Sequence, residues 1–401
     1  MSESPIEKLM KTNQNLEVWW DSSPLIFERW VRQMVQSAKS AEKEELEAQL
    51  RRLYNAKEPN KSLFRGCTTN PPLSWEAVKS DPETWGPYID ELVLTHPDLT
   101  NKEIAWLTYK EVIRRGAEMY LPIYEASNGR FGWISGQLNP SLFTETEQMV
   151  NDAIELSSIS PNVMIKVPAS MQGIEVIKVL TSKGIGTNTT TCFTLPQIMA
   201  SADAAMEGLA IAKKNNVDLS KWRAVITMMI GRLTEQPVLE AQAARRGITL
   251  TWQEKHLWGI GVFRRAYKLL KEGGYASKML VCSMRDGPLV AGKRRFWDVE
   301  MLAGGEIVYT MPPYVLAPLF EIGDLEFQTE IDQEIPSSVW DKLMKIPYAI
   351  QASDPNGMEL DQFNTHPSTI DTIATFSKGF SGLEGFVEQR MLALAGRASQ
   401  N

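Results

Sequence analysis

The sequence is short of cysteine and histidine and has no long apolar runs. Among its 401 residues are three cysteines and three histidines. Cys67, Cys192 and Cys282 lie far apart, show no C-x-x-C spacing and cannot all pair, which excludes a disulfide framework and points to a reducing, cytoplasmic setting. His96, His256 and His366 have neither i, i+4 nor short-loop spacing, so no metal site is expected and each reads as a surface or packing residue. Nowhere do 18 apolar residues run together, and Met1 to Trp30 hold acids, a proline and no apolar run of signal-peptide length. Neither a membrane span nor a secretory signal is expected. There is no G-x-G-x-x-G after a strand, no P-loop and no G-x-S-x-G, which removes the usual marks of dinucleotide binding, nucleotide hydrolysis and serine-hydrolase chemistry. Positive charge is also in deficit. Lys and Arg number 42 against 49 Asp and Glu, a net −7, so the overall field repels nucleic acid, acidic lipid and phosphate. Any anionic substrate must then be held by a local cluster of arginines. The basic runs Arg51-Arg52, Arg245-Arg246 and Lys293-Arg294-Arg295 are short, lack interleaved aromatics and read as solvated surface.

What the chain does have is alternation. It is 43% apolar and 23% charged, ordinary for a globular protein, and its length allows two or three domains or one large barrel. No short-period repeat or low-complexity segment overrides local reading. Eight short apolar runs alternate with longer stretches of helical spacing: Leu16 to Asp21, Leu63 to Thr69, Phe131 to Leu138, Val163 to Val167, Gly186 to Cys192, Trp222 to Met229, Lys278 to Ser283 and Glu306 to Tyr309. Helices are expected over Leu195 to Lys213, ending at Asn215-Asn216, and over Leu257 to Lys271, closed by Gly273-Gly274. Eight strands alternating with helices favour a closed α/β (β/α)8 TIM barrel over an open sheet. We expect one barrel domain over residues 1–401, with its core at about 16–316. A solvated helix is expected within Gln36 to Asn60, and a C-terminal helical extension from Asp324 to Asn401 with a turn at Ser353-Asp354-Pro355-Asn356-Gly357.

Active sites of such barrels lie at the C-terminal ends of the strands. Polar residues sit at six of the run ends: Asp21, Asn70, Gln137, Lys166, Asn188 with Thr190, and Ser283 with Arg285. Lys166 is the sharpest, a lone lysine in Val163-Met164-Ile165-Lys166-Val167-Pro168, where strands are covered on both faces. Either it snorkels to water or it is a desolvated amine poised to form a Schiff base with a ketone, which requires lowering its usual pKa of ~10.4 towards neutrality. Asp21 is either a helix cap or an acid/base. Asn70, Asn188 and Thr190 are neutral hydrogen bonders suited to sugar hydroxyls, or else caps and turn residues. Arg232 and Arg285 follow the sixth and seventh strands, where a phosphate corner is usual.

These residues resemble the transaldolase family. Cys67-Thr68-Thr69-Asn70-Pro71-Pro72-Leu73 is similar to its T-[ST]-N-P signature, and Ile165-Lys166-Val167-Pro168-Ala169 with Gly173 to the segment whose lysine forms the Schiff base. Gly184 to Thr194, Ile230-Gly231-Arg232, Ser283-Met284-Arg285 and Gly304 to Pro313 continue the likeness in order, from about Leu16 to Leu316. The resemblance implies that Lys166 is the nucleophile and Asp21 the acid/base. Asn70 and Asn188 would orient a dihydroxyacetone unit, with Thr190 hydrogen-bonding nearby, and Arg232, Ser283 and Arg285 would bind a sugar phosphate. It further implies transfer of that unit from a ketose phosphate to an aldose phosphate without a cofactor, as in the pentose phosphate pathway. The partners implied are small sugar phosphates, neither nucleic acid nor membrane, with a homodimer left open. Two departures stand out. The family's S-x-E-V-D-P strand is Ser135-Gly136-Gln137-Leu138-Asn139-Pro140 here, so the glutamate that shuttles protons through a water is Gln137. The fructose-6-phosphate aldolase branch also has glutamine there, but has a tyrosine where this chain has Met229; the serine expected two residues earlier is Thr227. Gln137 leaves two alternatives open: a specialised aldolase or transaldolase-like enzyme with an unusual acceptor, or an inactive barrel acting as a binding protein.

Overall fold

A computed structural model describes residues 2–323 and 325–398. Eight parallel strands close into a barrel: β1 Glu17–Asp21, β2 Phe64–Thr68, β3 Trp133–Gln137, β4 Val163–Pro168, β5 Thr187–Cys192, β6 Ala224–Met229, β7 Lys278–Cys282 and β8 Val308–Met311. Each strand pairs with its sequence neighbours, and β8 closes the ring on β1 through Glu17↔Val308 to Trp20↔Met311. All eight expected runs hold a strand. The eighth is displaced, ending at Met311 rather than Tyr309, because Thr310 and Met311 pair with Trp19 and Trp20 before Pro312 stops the ladder. The fold is a (β/α)8 TIM barrel.

Helices follow their caps. Leu195–Lys214 opens on a capping box of Thr194 with Gln197. The helix expected from Leu257 begins at Trp252, because Thr251 and Glu254 form a capping box that starts it five residues earlier. The segment expected to be a solvated helix within Gln36 to Asn60 forms Lys43–Leu53, but Leu50 and Leu53 are fully buried, so one edge of it belongs to the core. Among the C-terminal helices, Pro367–Ala398 is the longest of the described chain and packs against the helices Pro71–Lys79 and Asn101–Ala126 and against β5. Asp324 and residues 399–401 of the expected extension lie outside the described residues.

Alternation along β1 sets the two ends of the barrel. Trp20 turns outward into a cluster with Phe27, Trp30 and Phe64. Glu17, Trp19 and Asp21 share the other face. Trp19 is completely buried and its ring fills the space opposite Gly66, where an added Cβ would stand 2.6 Å from the indole. The indole therefore separates a carboxylate at the N-terminal end of the barrel from one at the C-terminal end. No helix among the described residues is long and apolar enough to cross a membrane.

Candidate active site

At the C-terminal ends of the strands lies a cavity of about 450 Å³, bordered by Asp21, Lys166, Met229, Cys282 and Ser283 from the barrel, by Asn70, Arg232, Glu235, Arg285 and Tyr314 from the loops and helix starts, and by Asp371 and Phe376 from the C-terminal helix. Lys166 is 3% exposed. Its Nζ donates to the Thr69 carbonyl at 3.0 Å, makes no ion pair among the described residues and lies 5.8 Å from the centre of the Phe376 ring. Burial pushes its pKa down, and Asp21, the nearest carboxylate influence, only partly opposes this. Asp21 does not cap a helix; that task falls to Ser23. Its Oδ1 accepts from the Thr68 hydroxyl at 2.8 Å and its Oδ2 faces the Cys282 thiol at 3.8 Å. Burial raises its pKa against the pull of Lys166. Burial thus weakens the charged form of both groups: the amine loses its proton more readily and becomes able to attack a carbonyl, and the carboxylate becomes a stronger base. Cys282 is no competitor as a nucleophile, since burial pushes its thiol up to about 12.

Gln137, Lys166 and Asn188 stand side by side in register across β3, β4 and β5, so their side chains share the barrel's interior face. Asn188 is fixed at both ends of its amide: Nδ2 donates to Ser135 Oγ at 2.9 Å, and Oδ1 accepts from the Thr227 hydroxyl at 2.6 Å. Gln137 is held at its backbone, where the Tyr109 hydroxyl donates to its carbonyl and accepts from its N–H, each at 2.9 Å. Its side-chain Oε1 is buried without a hydrogen-bond partner, as is Thr190 Oγ1. Such atoms are costly unless something in the working enzyme satisfies them. Gln137, Asn188, Thr190 and Thr227 lie in the barrel behind the cavity wall. Asn70 lies on the wall itself, where its Oδ1 also caps Pro71–Lys79 by accepting from Leu73 N–H at 2.9 Å.

The two arginines come together through a close backbone crossing. Gly231 N–H donates to the Ser283 carbonyl at 3.1 Å, and a Cβ at Gly231 would meet that oxygen at 2.3 Å and the Arg285 guanidinium carbon at 2.5 Å. Ser283 takes a left-handed backbone, φ 58°, a strained conformation for a serine. Arg285 Nη1 donates to the Ser283 carbonyl and Oγ, at 2.9 and 3.1 Å. Its Nε and Nη2 both grip Glu235 Oε2, at 2.7 and 2.6 Å. Arg232 makes no ion pair among the described residues, lies 5.8 Å from the Phe376 ring centre, and is shifted to lower pKa by burial.

Sequence reasoning did not reach Glu235, Tyr314, Asp371 or Phe376. Glu235 carries a weak signal, three residues after Arg232 at the end of the short helix Ile230–Thr234; Asp371 and Phe376 carry none, because only the path of a helix some 200 residues after Lys166 brings them to the mouth. The histidines behave as packing or surface groups: His256 pairs with Asp298 at 2.8 Å, His366 is stacked between Phe193 and Tyr348, and His96 is exposed. No group of three or more His, Cys, Asp or Glu side chains among the described residues is arranged to hold a metal ion.

A larger cavity, about 580 Å³, opens at the opposite end of the barrel around Glu17, Arg223 and Lys278. Its charges are paired with one another: Glu17 accepts from Arg223 at 2.6 Å, from Lys278 at 2.8 Å and from the Trp19 indole at 3.0 Å. Burial alone would raise this carboxyl, but the two cations outweigh it and hold the pKa at about 2. An acid so fully committed has no proton to exchange near neutrality.

Residues 42–386 match the family model for transaldolase/fructose-6-phosphate aldolase. The chain belongs to that family. Among curated relatives, it is 27% identical over 315 residues to a transaldolase of Mycolicibacterium smegmatis, covering 73% of this chain and 83% of the relative. It is 26% identical over 273 residues to a transaldolase of Thiobacillus denitrificans, covering 64% and 74%. A transaldolase of Mycobacterium bovis is 30% identical over 211 residues, about half of either chain. The protein is accordingly an enzyme of the transaldolase type. Asp21 precedes the matched range, so its candidacy stands on the geometry around Lys166.

Proposed function

We propose that this protein transfers a three-carbon ketol unit between sugar phosphates through a Schiff base on Lys166. The observation that carries the reading is a buried lysine amine with no ion-pair partner among the described residues, opening on a cavity shared with Asp21. The neutral amine adds to the ketose carbonyl, and loss of water from the carbinolamine leaves an iminium that withdraws electrons from the adjacent carbon–carbon bond. Asp21 takes the proton of the hydroxyl beyond that bond; the bond breaks, an aldose leaves, and the three-carbon enamine stays on Lys166. Addition of an acceptor aldehyde, with the proton returned by Asp21, rebuilds a ketose, which water releases from the lysine. Asn70 and Asn188 are suited to orient the dihydroxyacetone unit, with Thr190 and Thr227 beside it, and Arg232, Ser283 and Arg285 to hold the phosphate. Gln137 can hold a water on its amide but cannot take its proton.

The chain works, on this reading, as one catalytic domain, because the C-terminal helix supplies Asp371 and Phe376 to the mouth. Three buried free cysteines support a reducing, cytoplasmic setting. Borohydride reduction in the presence of a ketose phosphate, followed by peptide mass analysis, tests the reading; Lys166 is the expected site, and labelling of another lysine, or of none, overturns it. The amide at Gln137 favours a second reading, a specialised transaldolase with an unusual acceptor, which a screen of donors and acceptors by mass spectrometry separates from the first.

A further inference from the structure

Three basic and three acidic side chains border the catalytic cavity, Lys166, Arg232 and Arg285 against Asp21, Glu235 and Asp371. Fully ionised they would sum to zero, and with the amine alone neutral, as the reaction needs, to −1. A substrate phosphate would bring up to two more negative charges. Glu235 is the acid of this set that is placed directly on an arginine. Glu235 occupies the Nε/Nη2 edge of Arg285, the edge on which a guanidinium takes a carboxylate or phosphate by two hydrogen bonds. The Nη1 corner is turned back onto Ser283 and Met284. Arg285 therefore has little donor capacity left, whereas Arg232 makes no ion pair among the described residues and keeps its own. Asp371 adds a second negative charge on the Arg232 side of the cavity.

We propose that Glu235 is a specificity-determining residue: an internal carboxylate seated on Arg285 where a substrate phosphate would sit, lowering the preference for dianionic sugar phosphates and admitting ketoses with an uncharged end. This rests on the Schiff-base reading above. A phosphate can reach full contact with Arg285 only by displacing Glu235, whereas a polyol end needs no displacement and can use Ser283, Arg232 and the carboxylates as hydrogen-bond partners.

The test compares kcat/KM for a ketohexose 6-phosphate with that for the same ketohexose without phosphate. In Glu235→Gln the ratio of phosphorylated to free substrate is expected to rise about tenfold, the scale of one close charge contact at a partly exposed site. In Glu235→Asp, which keeps the charge, the ratio should stay within about threefold of the parent. A ratio in Glu235→Gln that stays flat or falls overturns the proposal, as does an equal rise in both variants, which would assign the effect to shape. Borohydride trapping on the parent enzyme is run alongside. Trapping at Lys166 with an unresponsive ratio counts against Glu235 alone; no trapping with either ketose overturns the Schiff-base reading and this inference together.

Discussion

Glu17 and Asp21 stand four residues apart on one strand, face the same side and are separated by the Trp19 indole, yet their surroundings push them in opposite directions. Glu17 is gripped by Arg223 and Lys278 and held ionised. Asp21 touches only a hydroxyl and a thiol and is pushed towards protonation, although Lys166 borders the same cavity. The difference teaches how to tell a structural charge from a reactive one in a barrel of this kind. Where buried charges close their own pairs, nothing remains to act on a substrate; where they are desolvated and kept apart, their free energy is available to chemistry.

The sharpest way to break the contrast is at the amine. Lys166→Met should lower turnover by at least ~10⁴-fold and abolish the reducible adduct. The thermal midpoint should hold or rise, since a buried unpaired amine is replaced by an apolar chain of similar volume. A melt that collapses with activity would make Lys166 structural.

At the other end the signature should invert. Glu17→Gln takes the carboxylate from two partly buried cations and is expected to lower unfolding free energy by about 3 kcal/mol in a urea titration, with turnover per folded molecule unchanged. Its pH dependence has a definite sign. Because the folded pKa is depressed to about 2 from an ordinary 4.5, the advantage of glutamate over glutamine is complete above about pH 4.5 and lost as the pH falls towards 2.

Asp21→Asn comes next, with an expected ~10²- to 10³-fold loss of turnover. Its stability effect should oppose that of Glu17. Since burial raises the folded pKa of Asp21 above its ordinary 3.8, ionised Asp21 disfavours the folded state at neutral pH. The penalty vanishes once the pH drops below the unfolded value. The asparagine variant should therefore unfold at higher urea than the parent at pH 7, and the gap should narrow on acidification.

Smallest is Gln137→Glu. If the amide is a lost proton shuttle, the carboxylate should speed turnover at neutral pH by up to ~10²-fold. A flat or lower rate, read in a coupled steady-state assay, would mean instead that the amide suits a different substrate or protects the bound three-carbon unit from hydrolysis.

Much of this contrast was legible in the chain. Lys166 stood out because a charge inside an apolar run has to be explained, and Asp21 because it ended one. Both signals are local, and strand alternation converts them directly into position. The pairing of Glu17 was hidden, since Arg223 meets it from just ahead of β6 and Lys278 from the start of β7, some 200 and 260 residues away, and only barrel closure makes them neighbours. Asp371 and Phe376 were hidden for the same reason at the mouth. The start of the helix at Trp252 was present in the Thr251–Glu254 box but lay ahead of the apolar periodicity used to delimit it.

The cavity border runs from Asp21 to Phe376, with Lys166 between. During synthesis, then, the amine emerges long before its surroundings exist. An unfinished chain carries Lys166 in water, charged near its ordinary ~10.4 and indifferent to stray carbonyl compounds. Only when β8 has closed on β1 and the last long helix has come to lie across the mouth does desolvation expose its lone pair to use. If Lys166 is the nucleophile we propose, the order of elements along the chain acts as a safety catch, arming it at the final stage of its own making.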